Sequence, residues 1–188
     1  MARIITATLA SSSPYSQGRF HNEPKLDKET SEAYEKRTWR KRLHTTEGGM
    51  VFIPPMAFKN CLSEAARYLS VQIPGKAKAT YTKHFEAGVL VTEPLVLPIH
   101  ADEVEGEWMH VPSDGRRGGT KRVLKCFPLI RKWSGDVTFY VFDDTVTMDV
   151  FRYHLEQAGK FIGIGRGRPR NNGYYGRFQV DDLIDVVE

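Results

Sequence analysis

Gly163-Ile164-Gly165-Arg166-Gly167-Arg168-Pro169-Arg170-Asn171-Asn172-Gly173-Tyr174-Tyr175-Gly176-Arg177-Phe178 is the stretch on which the fold turns. Upstream of it, residues 147–161 have helical periodicity. Val150, Phe151, His154, Leu155, Ala158, Phe161 and Ile162 form one apolar stripe, with Thr147 as N-cap and Asp149 in the first turn. Downstream, residues 174–180 read as a strand. Glycines that follow a helix and precede a strand reverse the order of a dinucleotide-binding loop, so Gly163-x-Gly165 is not the start of that fingerprint.

Working outward, residues 121–130 and 136–142 read as two strands joined by 131–135 in the form of a hairpin. Residues 88–97 read as a third strand, which Pro94 demotes to an edge or bulged position. Before it lies a basic loop, 71–85. A helix begins at Pro55, whose missing N–H has no helical partner in a first turn. Phe58, Cys61, Leu62, Ala65, Ala66 and Leu69 form its single apolar stripe. Alternation over residues 3–10 gives the first strand, half-buried. Residues 17–49 are polar and charged, and suit either a short helix over 28–42 or a mobile arm.

The order strand, helix, strand, strand, helix, strand is the α+β split βαβ arrangement, a ferredoxin-like (RRM-like) βαββαβ core. We expect one domain over residues 1–188, with insertions at about 17–49 and 101–121. Such a sheet has helices on one face; the other is the face on which RNA-recognition modules hold single strands.

The charge pattern points to a polyanion. Lys plus Arg is 27 and Asp plus Glu is 23, a net of +4. The basic residues are bunched: seven against one acid over 113–133, five against one over 34–44, and five against none over 160–177. Acids gather at 102–107 and in the last eight residues, so an acidic surface held apart from a basic one is expected. In the 163–178 loop, glycines permit positive φ and close backbone approach, leaving N–H groups to face phosphate oxygens. Arg166, Arg168 and Arg170 supply forked donors, and Tyr174, Tyr175 and Phe178 offer flat faces to bases. The candidate nucleic-acid-binding residues here are Gly163, Gly165, Arg166, Arg168, Arg170, Tyr174 and Arg177. Elsewhere they are Lys59, Asn60 and Arg67 on the first helix, and Lys76, Lys78 and Lys83 in the basic loop. Arg116, Arg117, Lys121 and Arg122 complete the set.

No apolar run reaches the ~18 residues of a membrane span, and the N-terminus lacks the apolar stretch of a secretory signal. Cys61 and Cys126 sit in apolar contexts and read as reduced core residues of a cytoplasmic protein. Neither is spaced from a histidine as a zinc pair would be, so no metal and no cofactor is expected.

Phe52-Ile53-Pro54-Pro55-Met56-Ala57-Phe58-Lys59-Asn60-Cys61-Leu62 and the 163–178 loop together resemble the RAMP superfamily. The likeness is greatest to the crRNA-binding backbone subunits of class 1 CRISPR effectors, including compact or phage-borne forms. The motifs occur in the family's order, although Pro-Pro-Met-Ala-Phe stands where many relatives carry Ser or Gly. The resemblance implies a non-catalytic subunit that binds single-stranded RNA and self-associates along the strand or joins other effector subunits. It makes Lys59, Asn60, Arg166, Arg168 and Arg170 phosphate contacts, and 101–121 a thumb-like hairpin. Single-stranded DNA is an alternative ligand. Two other roles stay open: a decoy inserted into a host effector, and a metal-independent endoribonuclease. For the nuclease, His21, His44 and His84 are the candidate acid–base groups, while His154 belongs to the apolar stripe.

Overall fold

The computed structural model describes residues 3–113 and 120–186. Its central sheet is antiparallel, with strand order β4-β8-β1-β9, formed by β1 (Arg3–Ser11), β4 (Val89–Leu90), β8 (Ser134–Val141) and β9 (Phe178–Val186). This is the ferredoxin-like order. The alternation read over the first strand is real: Ile5, Ala7 and Leu9 are buried, and the residues between them are partly exposed.

Helices α2 (Pro55–Leu69) and α4 (Met148–Gln157) cover the buried face. Phe151 meets Phe139 at 5.1 Å between ring centres, and Phe58 meets Phe178 at 6.4 Å. Pro55 starts α2 as expected, and Ser70 ends it in a left-handed conformation (φ 48°). Thr147 caps α4, its hydroxyl accepting from the Val150 N–H. The helix then widens into a π-turn over Ala158–Ile162. Gly159 lies so close to the last strand that a Cβ there would come within 2.1 Å of the Phe178 carbonyl oxygen. The wide turn keeps Ala158 and Ile162 in the core and turns Phe161 outward, against the expectation that Phe161 lies on the buried stripe.

Two smaller sheets complete the architecture: β2 (Tyr15–Ser16), β7 (Arg122–Ile130) and β6 (Glu105–Pro112) in the order β2-β7-β6, and β3 (Met50–Ile53) with β5 (Leu95–His100). Two strand readings are corrected here. The segments 121–130 and 136–142 are not a hairpin, because β7 pairs with β6 and β8 pairs with β1. Trp133, between them, is buried among Tyr15, Phe58 and Phe178, which makes 131–135 a crossover rather than a turn. The 88–97 strand is broken, its first part joining the central sheet and its second part pairing with β3. Of the expected 101–121 insertion, β6 pairs with β7, and residues 114–119, with Arg116 and Arg117, lie outside the described residues.

Within 17–49 a helix does form, α1 (Ser31–Thr38), followed by a 3-10 turn over Trp39–Arg42. Its anchor is Glu35, fully buried. The carboxylate accepts from the Cys126 N–H at 2.8 Å and Arg42 Nη1 at 2.7 Å, and from Lys125 Nζ at 3.0 Å. Burial alone would raise its pKa; these donors outweigh that and hold it below the usual carboxylate value. Both cysteines are free and buried. Among the described residues no helix is long and apolar enough to cross a membrane.

Candidate nucleic-acid interface

The outer face of the central sheet does not carry the cations. Thr6, Thr8, Asp136, Thr138, Asp182 and Ile184 share that face by register, and none of its described residues is Lys or Arg. The expectation of a strand lying there is corrected by charge: Asp136 and Asp182 would repel phosphates.

The cationic concavity lies elsewhere, where the 163–176 loop meets the start of α2, the segment after β2 and strand β7. It is an open groove of about 740 Å³. Arg19, Arg166 and Arg168 line it, together with His44, Asn60 and Phe127, and among the described residues no Asp or Glu does. The loop is held in place by its own backbone. Arg166 N–H donates to the Ser16 carbonyl at 2.9 Å, Ile164 N–H to the Gly176 carbonyl at 2.9 Å, and Gly176 N–H to the Pro14 carbonyl at 2.8 Å. The N–H groups of Ile164, Arg166 and Gly176 are thus committed to carbonyls rather than left for phosphates. Gly165 has φ 74°, and a Cβ on it would stand 2.4 Å from the Tyr15 ring and 2.5 Å from the Ser16 carbonyl oxygen.

Arg166 lays its guanidinium carbon 3.4 Å from the centre of the Phe127 ring, and Arg42 stands 5.3 Å from the same ring. Arg168 and Arg170 pair with one carboxylate, that of Glu64, at 2.8 and 3.2 Å, so the trio keeps a single net positive charge. Tyr175 donates to Glu107 of β6 at 2.5 Å, which ties the loop to the β6–β7 hairpin. Burial and that carboxylate push the Tyr175 phenol up to about 12. Gln17, buried, donates to the Phe52 carbonyl at 2.7 Å and accepts from the His44 N–H at 2.7 Å, fixing the wall that carries Arg19. Burial, and then the Arg19 charge, keep the His44 pKa below its usual value.

Of the residues expected from sequence, Asn60, Gly165, Arg166 and Arg168 line the groove, with Arg170 beside it and Gly163 in the loop's tightly packed base. Others are elsewhere. Lys59 does not face the groove; its ammonium donates to the Glu86 carbonyl at 2.6 Å and Ser63 Oγ at 2.8 Å, closing the end of α3 (Thr82–Gly88). Arg67 pairs with Glu86 on the same side. Lys76, Lys78 and Lys83 are exposed around α3, away from the groove lining. Lys121 and Arg122 sit at the far end of the β6–β7 hairpin, Arg122 donating to the His110 carbonyl at 3.2 Å. Arg177 donates to the Lys160 carbonyl at 3.2 Å, and Tyr174 is exposed against Tyr175.

The basic run 34–44 is also largely neutralised. Lys36 pairs with Glu32, Arg37 with Glu29 and Glu23, Lys41 with Glu23, and Arg42 with Glu35. Sequence reasoning missed Arg19, Gln17, His44 and Phe127 as groove residues, and only an arginine beside a glycine (Gly18-Arg19) hinted at the first. His84 pairs with Asp143 at 2.6 Å outside the groove lining, and His154 is buried in the core as expected. Among the described residues no group of three or more His, Cys, Asp or Glu could hold a metal ion.

No family model matches the chain. No curated protein matches it either. Solved structures do. A chain in the cryo-EM structure of the Type III-B Cmr-beta bound to cognate target RNA has a TM-score of 0.55 at 11% identity, over 98% of this chain and 61% of that one. Cmr6 from Pyrococcus furiosus has a TM-score of 0.49 at 14% identity, over 96% of this chain and 99% of that one. A chain of a CRISPR RNA-guided surveillance complex has a TM-score of 0.38 at 12% identity, over 96% and 67%. At such identities the likeness is one of fold alone.

Proposed function

We propose that this chain is a non-catalytic subunit that holds single-stranded RNA of the crRNA type in the groove between the 163–176 loop and the start of α2, and that it assembles with other effector subunits. The observation that carries the reading is the lining: three arginines in one open groove, with no carboxylate among the described lining residues. Guanidinium forks suit phosphate oxygens, and phosphate contacts carry no base information, so the groove would bind a strand with little regard to sequence. The fold likeness to a chain in an RNA-bound Cmr-beta structure supports the same ligand class.

Fluorescence anisotropy with labelled single-stranded RNA and DNA at several salt concentrations tests it. Three phosphates neutralised by three arginines predict a log–log salt slope of about −2. Affinity indifferent to salt overturns the reading, and strand cleavage on prolonged incubation overturns its non-catalytic part.

A further inference from the structure

The outer row of α2 continues beyond the groove. Met56, Asn60, Glu64 and Tyr68 recur at every fourth position, which puts them on one line along a helix. Met56 and Asn60 line the groove, and Glu64 holds Arg168 and Arg170. Tyr68 ends the row with the Arg170 guanidinium 5.3 Å from its ring centre. Beside it stands Phe161, which the π-turn directs outward, with ring centres 6.1 Å apart and planes at 37°. Tyr68 is 52% exposed and Phe161 48%.

Two large aromatic rings in mutual contact, half in water and beside a cation, are poorly explained as core packing. A helical row connects them to the cationic groove. We propose that Tyr68 and Phe161 form a stacking subsite for bases of the same single strand, reached from the groove along α2 past Arg168 and Arg170. This rests on the groove being the strand's seat. The eight steps from Asn60 to Tyr68 span roughly 12 Å at ~1.5 Å rise, the length of about three stacked nucleotides. Glu64 lies on the path, but two guanidiniums offset its charge. Stacking on Tyr68 and Phe161 adds affinity without sequence preference, and Arg170 contributes to it as a cation over a ring.

Oligouridylates of two lengths, about four and about twelve nucleotides, separate the subsite from the groove. For the full chain carrying Tyr68→Ala or Phe161→Ala, we expect unchanged affinity for the short strand and about tenfold weaker binding of the long one. Tyr68→Phe, which keeps the ring, should bind both as the parent does. A 2-aminopurine at the end of the long strand should be quenched by the parent and not by Tyr68→Ala. Parent-like binding of the long strand by both alanine variants overturns the subsite while leaving the groove intact. Equal loss for both lengths also overturns it, since that marks a displaced loop. So does unchanged RNA binding with altered self-association, which marks a protein contact. If the parent chain binds neither strand, the groove reading falls too.

Discussion

Arg166 stands over Phe127, its guanidinium carbon 3.4 Å from the ring centre, and joins the glycine-rich loop to the β6–β7 hairpin. The contact leaves the arginine at the edge of the groove with a geometry fixed from below. A guanidinium so placed has its donors pre-aimed and loses little freedom on meeting a phosphate.

Arg166→Ala should weaken binding alike across RNA sequences and reduce the salt slope by about one. Arg166→Lys should recover only part of the loss, because an ammonium does not stack as a plane. Titrations with two unrelated sequences check both points. A loss confined to one sequence would mean that the loop reads bases.

Lys59 makes the opposite case. Its donors are committed to the Glu86 carbonyl and Ser63 Oγ, and burial lowers its pKa. Lys59→Met should cost about 1.5–3 kcal/mol of stability in denaturant unfolding. RNA affinity at a temperature where the variant is folded should not change.

Glu35 predicts an acid-dependent stability. Its folded pKa lies below the ordinary 4.5, so the unfolded chain takes up the proton first as pH falls. The stabilisation is complete above about pH 4.5 and is lost as pH drops through the folded value. Glu35→Ala should cost about 3–5 kcal/mol at pH 7, since it leaves Arg42 and Lys125 without their carboxylate. The gap between parent and variant should narrow at pH 3.5, which urea midpoints at the two values would show.

His44 gives a pH effect of the other sign in binding. In the free groove, burial and Arg19 hold it below its usual pKa, so it is neutral at pH 7. A phosphate settling beside it would raise that pKa, and the complex would take up a proton. Affinity should therefore rise as pH is lowered from 7.5 to 5.5, and His44→Asn should flatten that rise.

Much of the architecture was legible because periodicity is local. The stripe from Phe58 to Leu69 and the alternation from Ile5 to Leu9 can be read without knowing what they pack against. The pairing of β7 was not legible, since neighbours in sequence need not be neighbours in a sheet. A tryptophan at 133, in what read as a turn, was the available sign of a buried crossover. Phe161 was misplaced because nothing local announces that a glycine two residues earlier will widen the helix against another strand. For the interface, the loop's arginines were visible as a run, whereas Arg19, His44 and Phe127 stand singly in unrelated segments. Lys59 and Arg67 looked free only because Glu86 is distant in sequence.

The groove's walls come from residues 15–19, 44, 54–60, 127 and 164–171, so its two flanks are far apart in sequence. Contacts between such remote segments are slow to close, because the intervening chain must first be ordered. On the ribosome, the early walls would wait for the glycine-rich segment to emerge. Until then the groove would lack the wall that carries Arg166 and Arg168.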